Sequence, residues 1–280
     1  MAAYRLMNAN QARWKRRRGL TLTELLVAST IMIMIAGAMS MLAMTVHSSN
    51  DHCQGQTIAA QHGRVVLQHI ARAVAGATAN EHFPGAIVVE ERIGSLRLPQ
   101  TLVIWLPESA PAGIEAEKPP WVADLVLFTT DPAQPNVLLE ISDAGNSERV
   151  PLDPSASYWQ TLVATLRTKQ SAKRIVLTDR LRTGAVATPD PGNPAASLRG
   201  CLRFVQLMTP DEDEWEEYRD NELDWDELSW PLDAYGSQSG TRRVVIQTEV
   251  QLSPSDEDEE IVLPAVPFFG SAAVVYHLER

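Results

Sequence analysis

An uncharged run of twenty residues, from Leu25 to Met44, constrains this chain more than any other feature. At a rise of about 1.5 Å per residue, a helix of that length spans about 30 Å, the hydrocarbon thickness of a bilayer. The sequence therefore predicts a membrane-spanning helix near the N-terminus.

The charges around this run predict its orientation. Residues 1–19 hold six of the 24 Lys and Arg residues and no acidic residue, and no comparable cluster follows the run. Because cationic flanks stay in the cytoplasm, we expect a cytoplasmic N-terminus, with everything after about Met44 outside. A secretory signal peptide is the alternative, and Ala36-Gly37-Ala38 offers a cleavage pattern for it. The apolar residues continue beyond that pattern, however, which favours the full span.

The remainder of the chain is acidic. Residues 20–280 contain 18 cationic residues against 35 acidic ones. Affinity for nucleic acid comes largely from cations that neutralise phosphates, so this composition argues against a nucleic-acid partner.

Glu24 is the unusual residue at the start of the apolar run. A carboxylate costs free energy in the hydrocarbon, up to about 2.5–3.5 kcal/mol at mid-depth, and such a residue is a functional hypothesis by default. An ordinary membrane anchor explains the length of the run but not this acid.

The string from Gly19 to Ala28, GLTLTELLVA after a basic leader, resembles the class III signal of type IV pilins and type II secretion pseudopilins. The resemblance implies that a prepilin peptidase cleaves after Gly19 and methylates the new N-terminus at Leu20. Glu24 is then the fifth residue of the mature chain. It also implies a partner for Glu24, the amine of Leu20 in a neighbouring subunit, because a buried carboxylate is tolerated when it is paired.

The implied function is that of a structural subunit in an envelope-spanning filament, without a cofactor. Its implied partners are the prepilin peptidase, other minor and major pseudopilins or pilins, and the lipid of the inner membrane. The head is diffusely similar to J-type minor pseudopilins and W-type minor pilins. A membrane-tethered binding module or enzyme with an acidic head remains the alternative.

Periodicity predicts the fold class. Apolar residues at helical spacing follow the span, which predicts a first helix from Leu20 to about Ala75; these residues are Ile58, Val65, Val66, Ile70 and Val74. Beyond Pro84, short runs rich in Val, Ile and Leu read as strands, and YWQTLVATLRTKQ reads as a helix. We therefore expect an α+β protein with an antiparallel sheet packed on the outer half of the first helix.

This interpretation gives four segments. Residues 1–19 form a cleaved basic leader, and 20–45 form the transmembrane half of the first helix. Residues 46–78 form its periplasmic half, and 79–280 form a pilin-like head with acidic loops.

Two other features could bind ligands. The acidic runs Asp211–Glu227 and Asp256–Glu260 lack the spaced pattern of a calcium loop, so we interpret them as solvated loops. The triplet Asp51-His52-Cys53 resembles a metal cluster, but neighbouring helical residues point apart.

The two cysteines, Cys53 and Cys201, are predicted to be unpaired thiols, although the sequence leaves a disulfide between them open. No catalytic or metal-binding residue is predicted, because no motif for either chemistry is present.

Overall fold

A computed structural model describes residues 20–93, 96–108, 117–186, 197–230, 239–254 and 264–279. The chain divides into two compact units, Met1–Asp51 and His52–Arg280. The described part of the first unit is almost entirely helix, and all the strands that the structure describes belong to the second unit.

The first helix, α1, runs from Leu22 to Ala75 without interruption. Every residue of α1 up to Asp51 is exposed, whereas the part after it has a buried stripe. The buried residues recur at helical spacing, as expected for a helix with one packed face; they are Ala59, Gly63, Val66, Ile70 and Val74. We call His52–Ala75 the outer segment of α1.

A five-stranded antiparallel sheet forms one part of the second unit, with the strand order β1-β2-β3-β4-β5. Its strands are β1 (Ala86–Ile93), β2 (Leu96–Trp105), β3 (Leu125–Thr130), β4 (Leu138–Ser142) and β5 (Lys173–Thr178). Register shifts interrupt the pairing of β1 with β2 and that of β4 with β5. The second helix, α2 (Ala156–Thr168), lies in the sequence between β4 and β5.

A three-stranded antiparallel sheet follows, in the order β10-β9-β8, and a two-stranded sheet pairs β6 with β7. These strands are β6 (Thr183–Val186), β7 (Ser197–Gly200), β8 (Leu202–Thr209), β9 (Ser239–Leu252) and β10 (Val266–Glu279). A short third helix, α3 (Glu212–Arg219), lies between β8 and β9.

Side chains of the five-stranded sheet alternate between two cores. Leu102 and Ile104 of β2 join the outer segment of α1 and the three-stranded sheet in one cluster. Val103 lies between these two residues in the sequence and Trp105 follows them, and both pack with α2 in a second cluster. Because successive residues of a strand point to opposite faces, one strand serves both cores.

Close approach fixes the outer segment of α1 against the three-stranded sheet. A Cβ atom on Gly63 would lie 2.6 Å from the ring of Phe268, and one on Gly55 would lie 2.4 Å from the carbonyl oxygen of Pro254. Both distances are too short for any side chain, so glycine is required where the helix meets these residues.

The prediction that Asp211–Glu227 is a solvated loop was wrong. The run contains α3 and a 3₁₀ turn at Trp225–Glu227. Asp211 caps α3 by accepting a hydrogen bond from the Glu214 N–H at 2.8 Å, and Glu214 accepts one from the Asp211 N–H at 3.2 Å. This reciprocal capping box, together with acids in the first turn of the helix, favours a helix over a loop.

Aromatic side chains anchor this acidic segment to the head. Trp215, Tyr218, Trp225 and Trp230 form one cluster, in which ring centroids are separated by 4.7 to 6.4 Å. Arg242, which is buried, lies over Trp215 at 4.9 Å and donates to the Glu212 carboxylate at 3.1 Å. The second acidic run, Asp256–Glu260, lies outside the described residues.

The predicted α+β class, with a long first helix and antiparallel strands, is confirmed. The predicted helix after residue 155 is α2, which Ser155 caps by accepting from the Tyr158 N–H at 3.2 Å. The strands fall into three sheets rather than one, and β6 and β7 were not predicted. The stretch LRLPQTLVIW, which contains Pro99, forms the single strand β2.

Candidate processing and assembly site

The start of α1 places Glu24 in a hydrogen-bonded box with Thr21. The Thr21 backbone N–H and hydroxyl both donate to the same Glu24 carboxylate oxygen, each at 2.9 Å. In return, the Glu24 N–H donates to the Thr21 hydroxyl oxygen at 3.3 Å. Thr21 precedes the first helical residue and Glu24 is the third, which is the spacing of a capping box.

Thr21 is the site residue that sequence reasoning missed. The signal for it was available, because Thr-x-x-Glu before an apolar run is the usual pattern of a helix N-terminus. Leu20 directly precedes this box and is exposed. Gly19, the predicted cleavage position, lies outside the described residues, as does the basic leader.

The apolar half of α1 has its polar groups satisfied within the helix. Four hydroxyls donate to carbonyl oxygens three or four residues earlier, at 2.8 to 2.9 Å. The donors are Ser29, Thr30, Ser40 and Thr45. Because lipid offers no partner for a hydroxyl, this internal bonding suits a helix in hydrocarbon.

Among the described residues, α1 is the one helix that is long and apolar enough to cross a membrane. Small residues lie along it at Ala28, Ala36, Gly37, Ala38 and Ser40. A Cβ atom on Gly37 would have no neighbour within 4 Å. In helices that associate within a membrane, small residues let two backbones approach closely.

The part of the head that the structure describes offers no site for a metal ion. No group of three or more His, Cys, Asp or Glu residues there is arranged to hold a metal ion. Asp51, His52 and Cys53 lie in consecutive positions on α1, and Cys53 is exposed.

Two histidines on α1 contact the head. His62 shares a hydrogen bond with the Thr178 hydroxyl at 3.3 Å. His69 pairs with Glu140 and packs edge-on against Phe128, with ring centroids 5.9 Å apart. These contacts tie α1 to the five-stranded sheet.

Titratable groups in the head are shifted mainly by burial. Burial raises the pKa of the Cys201 thiol, with Arg182 opposing the shift. Burial also raises the pKa of Tyr276 to about 12, against the opposing effect of Arg242. Because the thiolate is the reactive form of cysteine, Cys201 is a poor nucleophile at neutral pH. Both cysteines are free thiols in the structure.

The acidic segment Asp211–Glu227 offers a prediction about ion binding. Asp213, Glu217 and Asp226 are exposed, and their side chains make no hydrogen bond or ion pair among the described residues. Neutralising all three as Asn, Gln and Asn should leave the melting temperature within about 1–2 °C of wild type, because exposed charges contribute little to stability. Thermal unfolding with and without calcium measures this.

Glu212→Gln is the matched control, since that acid pairs with buried Arg242 and its loss should lower the melting temperature. If calcium raised the melting temperature of wild type but not that of the triple variant, the three acids would be binding an ion.

These features define a class of protein in which an exposed apolar helix, started by a capping box, continues into an α+β head. Residues 14–40 match the family model of the prokaryotic N-terminal methylation motif. This match includes Gly19, Leu20 and Glu24, and it supports the type IV pilin and pseudopilin family, whose members are structural rather than enzymatic. Together, the motif and α1 indicate anchoring to a membrane by a single helix. No curated protein and no solved structure matched the chain.

Proposed function

We propose that this protein is a minor pseudopilin or pilin-like subunit of a type II secretion pseudopilus or a type IV pilus. The observation that carries the proposal is the methylation motif at residues 14–40, on a helix that continues into a folded head. A filament subunit requires a motif that directs cleavage. It also requires a first helix that can both anchor it in the membrane and pack against other subunits.

The proposed sequence of events begins in the inner membrane, with the N-terminus cytoplasmic and the head periplasmic. The prepilin peptidase cleaves after Gly19 and methylates the Leu20 amine. Subunits then leave the lipid and pack through their first helices with other minor and major subunits. In this proposal the subunit resembles the J-type minor pseudopilins or the W-type minor pilins.

Glu24 is the proposed assembly residue. In the described subunit its carboxylate is occupied by Thr21, so the acid at the membrane edge is not left without a hydrogen-bond partner. Cleavage creates a cation at Leu20, and in the filament the carboxylate of one subunit would bind the amine of another. The capping box therefore holds the acid at the helix start until a charged partner replaces or joins Thr21.

Gly19→Leu tests the processing step. Glycine leaves the backbone of the cleaved bond accessible, so a large side chain there should block cleavage by the peptidase. Wild type should lose about 19 residues in the presence of the peptidase and gain the mass of one methyl group at Leu20, as mass spectrometry would show. The variant should keep its leader.

Ala28→Leu serves as the control, because it introduces the same side chain within the motif match but away from the cleaved bond. It should be processed normally. An intact N-terminus in wild type, despite active peptidase, would overturn the proposal in favour of a membrane-tethered module with an acidic head.

A further inference from the structure

Among the described residues, β10 is an edge strand, since no other described strand pairs with its outer side. It lies at one end of the three-stranded sheet and pairs with β9 over all fourteen residues without a register shift. From Val266 to Tyr276 it contains no charged residue, and its one proline, Pro267, lies at the start. Soluble proteins usually protect such edges with charges, bulges or short strands, because the unpaired backbone groups can pair with another chain.

The edges of the five-stranded sheet carry the protection that β10 lacks. β5 is six residues long, begins with Lys173 and Arg174, and has a register shift in its pairing with β4. β1 contains a register shift between Val89 and Glu91. The contrast within one head makes the open edge of β10 a specific feature rather than a general property of its strands.

The sheet face beside this edge is exposed and carries large apolar side chains among polar ones. The odd-numbered residues of β8, β9 and β10 share that face, as their register shows: Leu207 lies opposite Val245, which lies opposite Ala273. Leu207, Phe269 and Val275 are 50%, 70% and 57% exposed. A depression of 680 Å³ lies on the same face beside Phe269. We call this the bare face of the sheet.

The charges of the bare face differ from those of the whole chain. The chain has a net charge of −11. On the bare face between Val266 and His277 of β10, Arg203 has the acid Glu249 as its register partner, whereas Arg243 is the register partner of Val275 and Thr209 and has no acid opposite it. On a strand beside β10, which would lie two strand spacings or about 10 Å from β9, a long acidic side chain would be attracted to the Arg243 guanidinium across Val275, whereas most of the protein would repel it.

A second copy of this chain is a poor occupant of the edge. The outer segment of α1 and β10 run in the same direction, since Gly63 contacts Phe268 and Leu67 contacts Gly270. If the first helices of two copies were aligned, their β10 strands would therefore run parallel, and parallel pairing is slightly weaker than antiparallel pairing. A two-fold axis would pair the two edges antiparallel, but the first helices of the two copies would then point in opposite directions.

We propose that β10 binds an extended segment of another protein, which adds antiparallel to it as a fourth strand. Backbone hydrogen bonds would hold the segment, and its alternate side chains would lie on the bare face, apolar near Phe269 and Val275 and acidic near Arg243. A ten-residue segment would form about ten backbone hydrogen bonds, as many as a standard protein interface. This goes beyond assembly through the first helix and does not depend on cleavage.

The test uses the full-length, uncleaved protein in detergent and a fluorescent peptide of ten residues, alternating valine and threonine with one central glutamate. Fluorescence anisotropy should show saturable binding. Val275→Lys should weaken binding at least tenfold, because a charge is placed on the edge strand within the apolar part of the face. Val176→Lys, an equally exposed position on β5, is the matched control and should bind as wild type does.

Two further arms identify the mode of binding. A peptide with alternate backbone nitrogens methylated, so that it cannot donate to an edge, should lose binding at least tenfold. Arg243→Glu should weaken the glutamate peptide more than a glutamine version of it. Circular dichroism should give both protein variants the melting temperature of wild type.

Equal binding by wild type and Val275→Lys would overturn the proposal, as would undiminished binding of the methylated peptide. Disulfide crosslinking of Val275→Cys to itself in the absence of peptide would also overturn it, because the occupant would then be a second copy. None of these results would bear on the proposed cleavage at Gly19, so the two proposals are tested independently.

Discussion

Glu24→Gln is expected to leave cleavage, membrane insertion and folding of the head intact and to abolish assembly. Glutamine keeps the carbonyl oxygen that accepts from Thr21, so the capping box at the start of α1 can still form. It removes only the charge. An ammonium group buried in a filament without its counter-charge costs about 3–5 kcal/mol, which lowers an association constant more than a hundredfold.

The measurement is crosslinking through the first helix. Processed Glu24→Gln and wild type would be expressed with the companion subunits, and co-purification and secretion or pilus output would be recorded alongside. Insertion should become slightly easier in the variant, because an acid has left the apolar segment. Normal crosslinking and output would show that Glu24 is a tolerated boundary residue.

Thr21→Val separates the two roles of the site. It removes the hydroxyl that bonds Glu24 and keeps both the backbone N–H and the carboxylate. If the charge carries assembly, this variant should assemble much better than Glu24→Gln, and losing an N-cap side chain should cost about 1 kcal/mol of helix stability. If Thr21→Val and Glu24→Gln assembled equally poorly, the helix cap rather than the charge would be required for assembly.

Arg167→Met is expected to destabilise the head strongly. Arg167 is on α2, and its side chain is 9% exposed on the α2 face of the five-stranded sheet. It pairs with Glu91 and donates to the hydroxyls of Thr129 and Thr101, at 3.0 and 2.9 Å. Those hydroxyls are themselves hydrogen-bonded to each other at 2.8 Å, and both threonines are fully buried.

Methionine approximates the length of the arginine stem but supplies no charge and no donor. It would leave the Glu91 carboxylate, only 20% exposed, with Arg199 at 3.9 Å as its remaining cation. Removing one partner of a buried pair costs about 3–5 kcal/mol. Because Glu91 is partly solvated, we expect about 3 kcal/mol, a large fraction of the stability of an ordinary domain. Urea unfolding followed by tryptophan fluorescence would measure it.

Arg92→Met is the matched control, since Arg92 is exposed on β1 beside Glu91 and points to the other face. It should change the unfolding free energy by less than about 0.5 kcal/mol. The double variant Glu91→Gln with Arg167→Met should recover part of the loss, because the stranded charge is gone. A change below about 1 kcal/mol in Arg167→Met alone would contradict the role given to this network.

Local patterns predicted much of the fold because they depend on neighbours in the chain. The helical spacing from Ile58 to Val74 placed the end of α1 correctly at Ala75. Runs of β-branched residues located most strands. The acidic run Asp211–Glu227 was predicted wrongly, because its composition suggested a loop. The capping box at Asp211 and the burial of Trp215 favour a helix. The Thr21–Glu24 box was equally local and was overlooked.

The apolar span, the motif around Gly19, Leu20 and Glu24, and the α+β class could all be read from the order of residues. Each follows from residue order over a few turns or strands, where spacing alone sets which side chains share a face. The division of the described strands into three sheets, the contact of Arg167 with Glu91 and the edge position of β10 among those strands emerge only in the folded chain. Residues 76 positions apart meet through packing, and the free energy of packing depends on every surface that competes for the same contact.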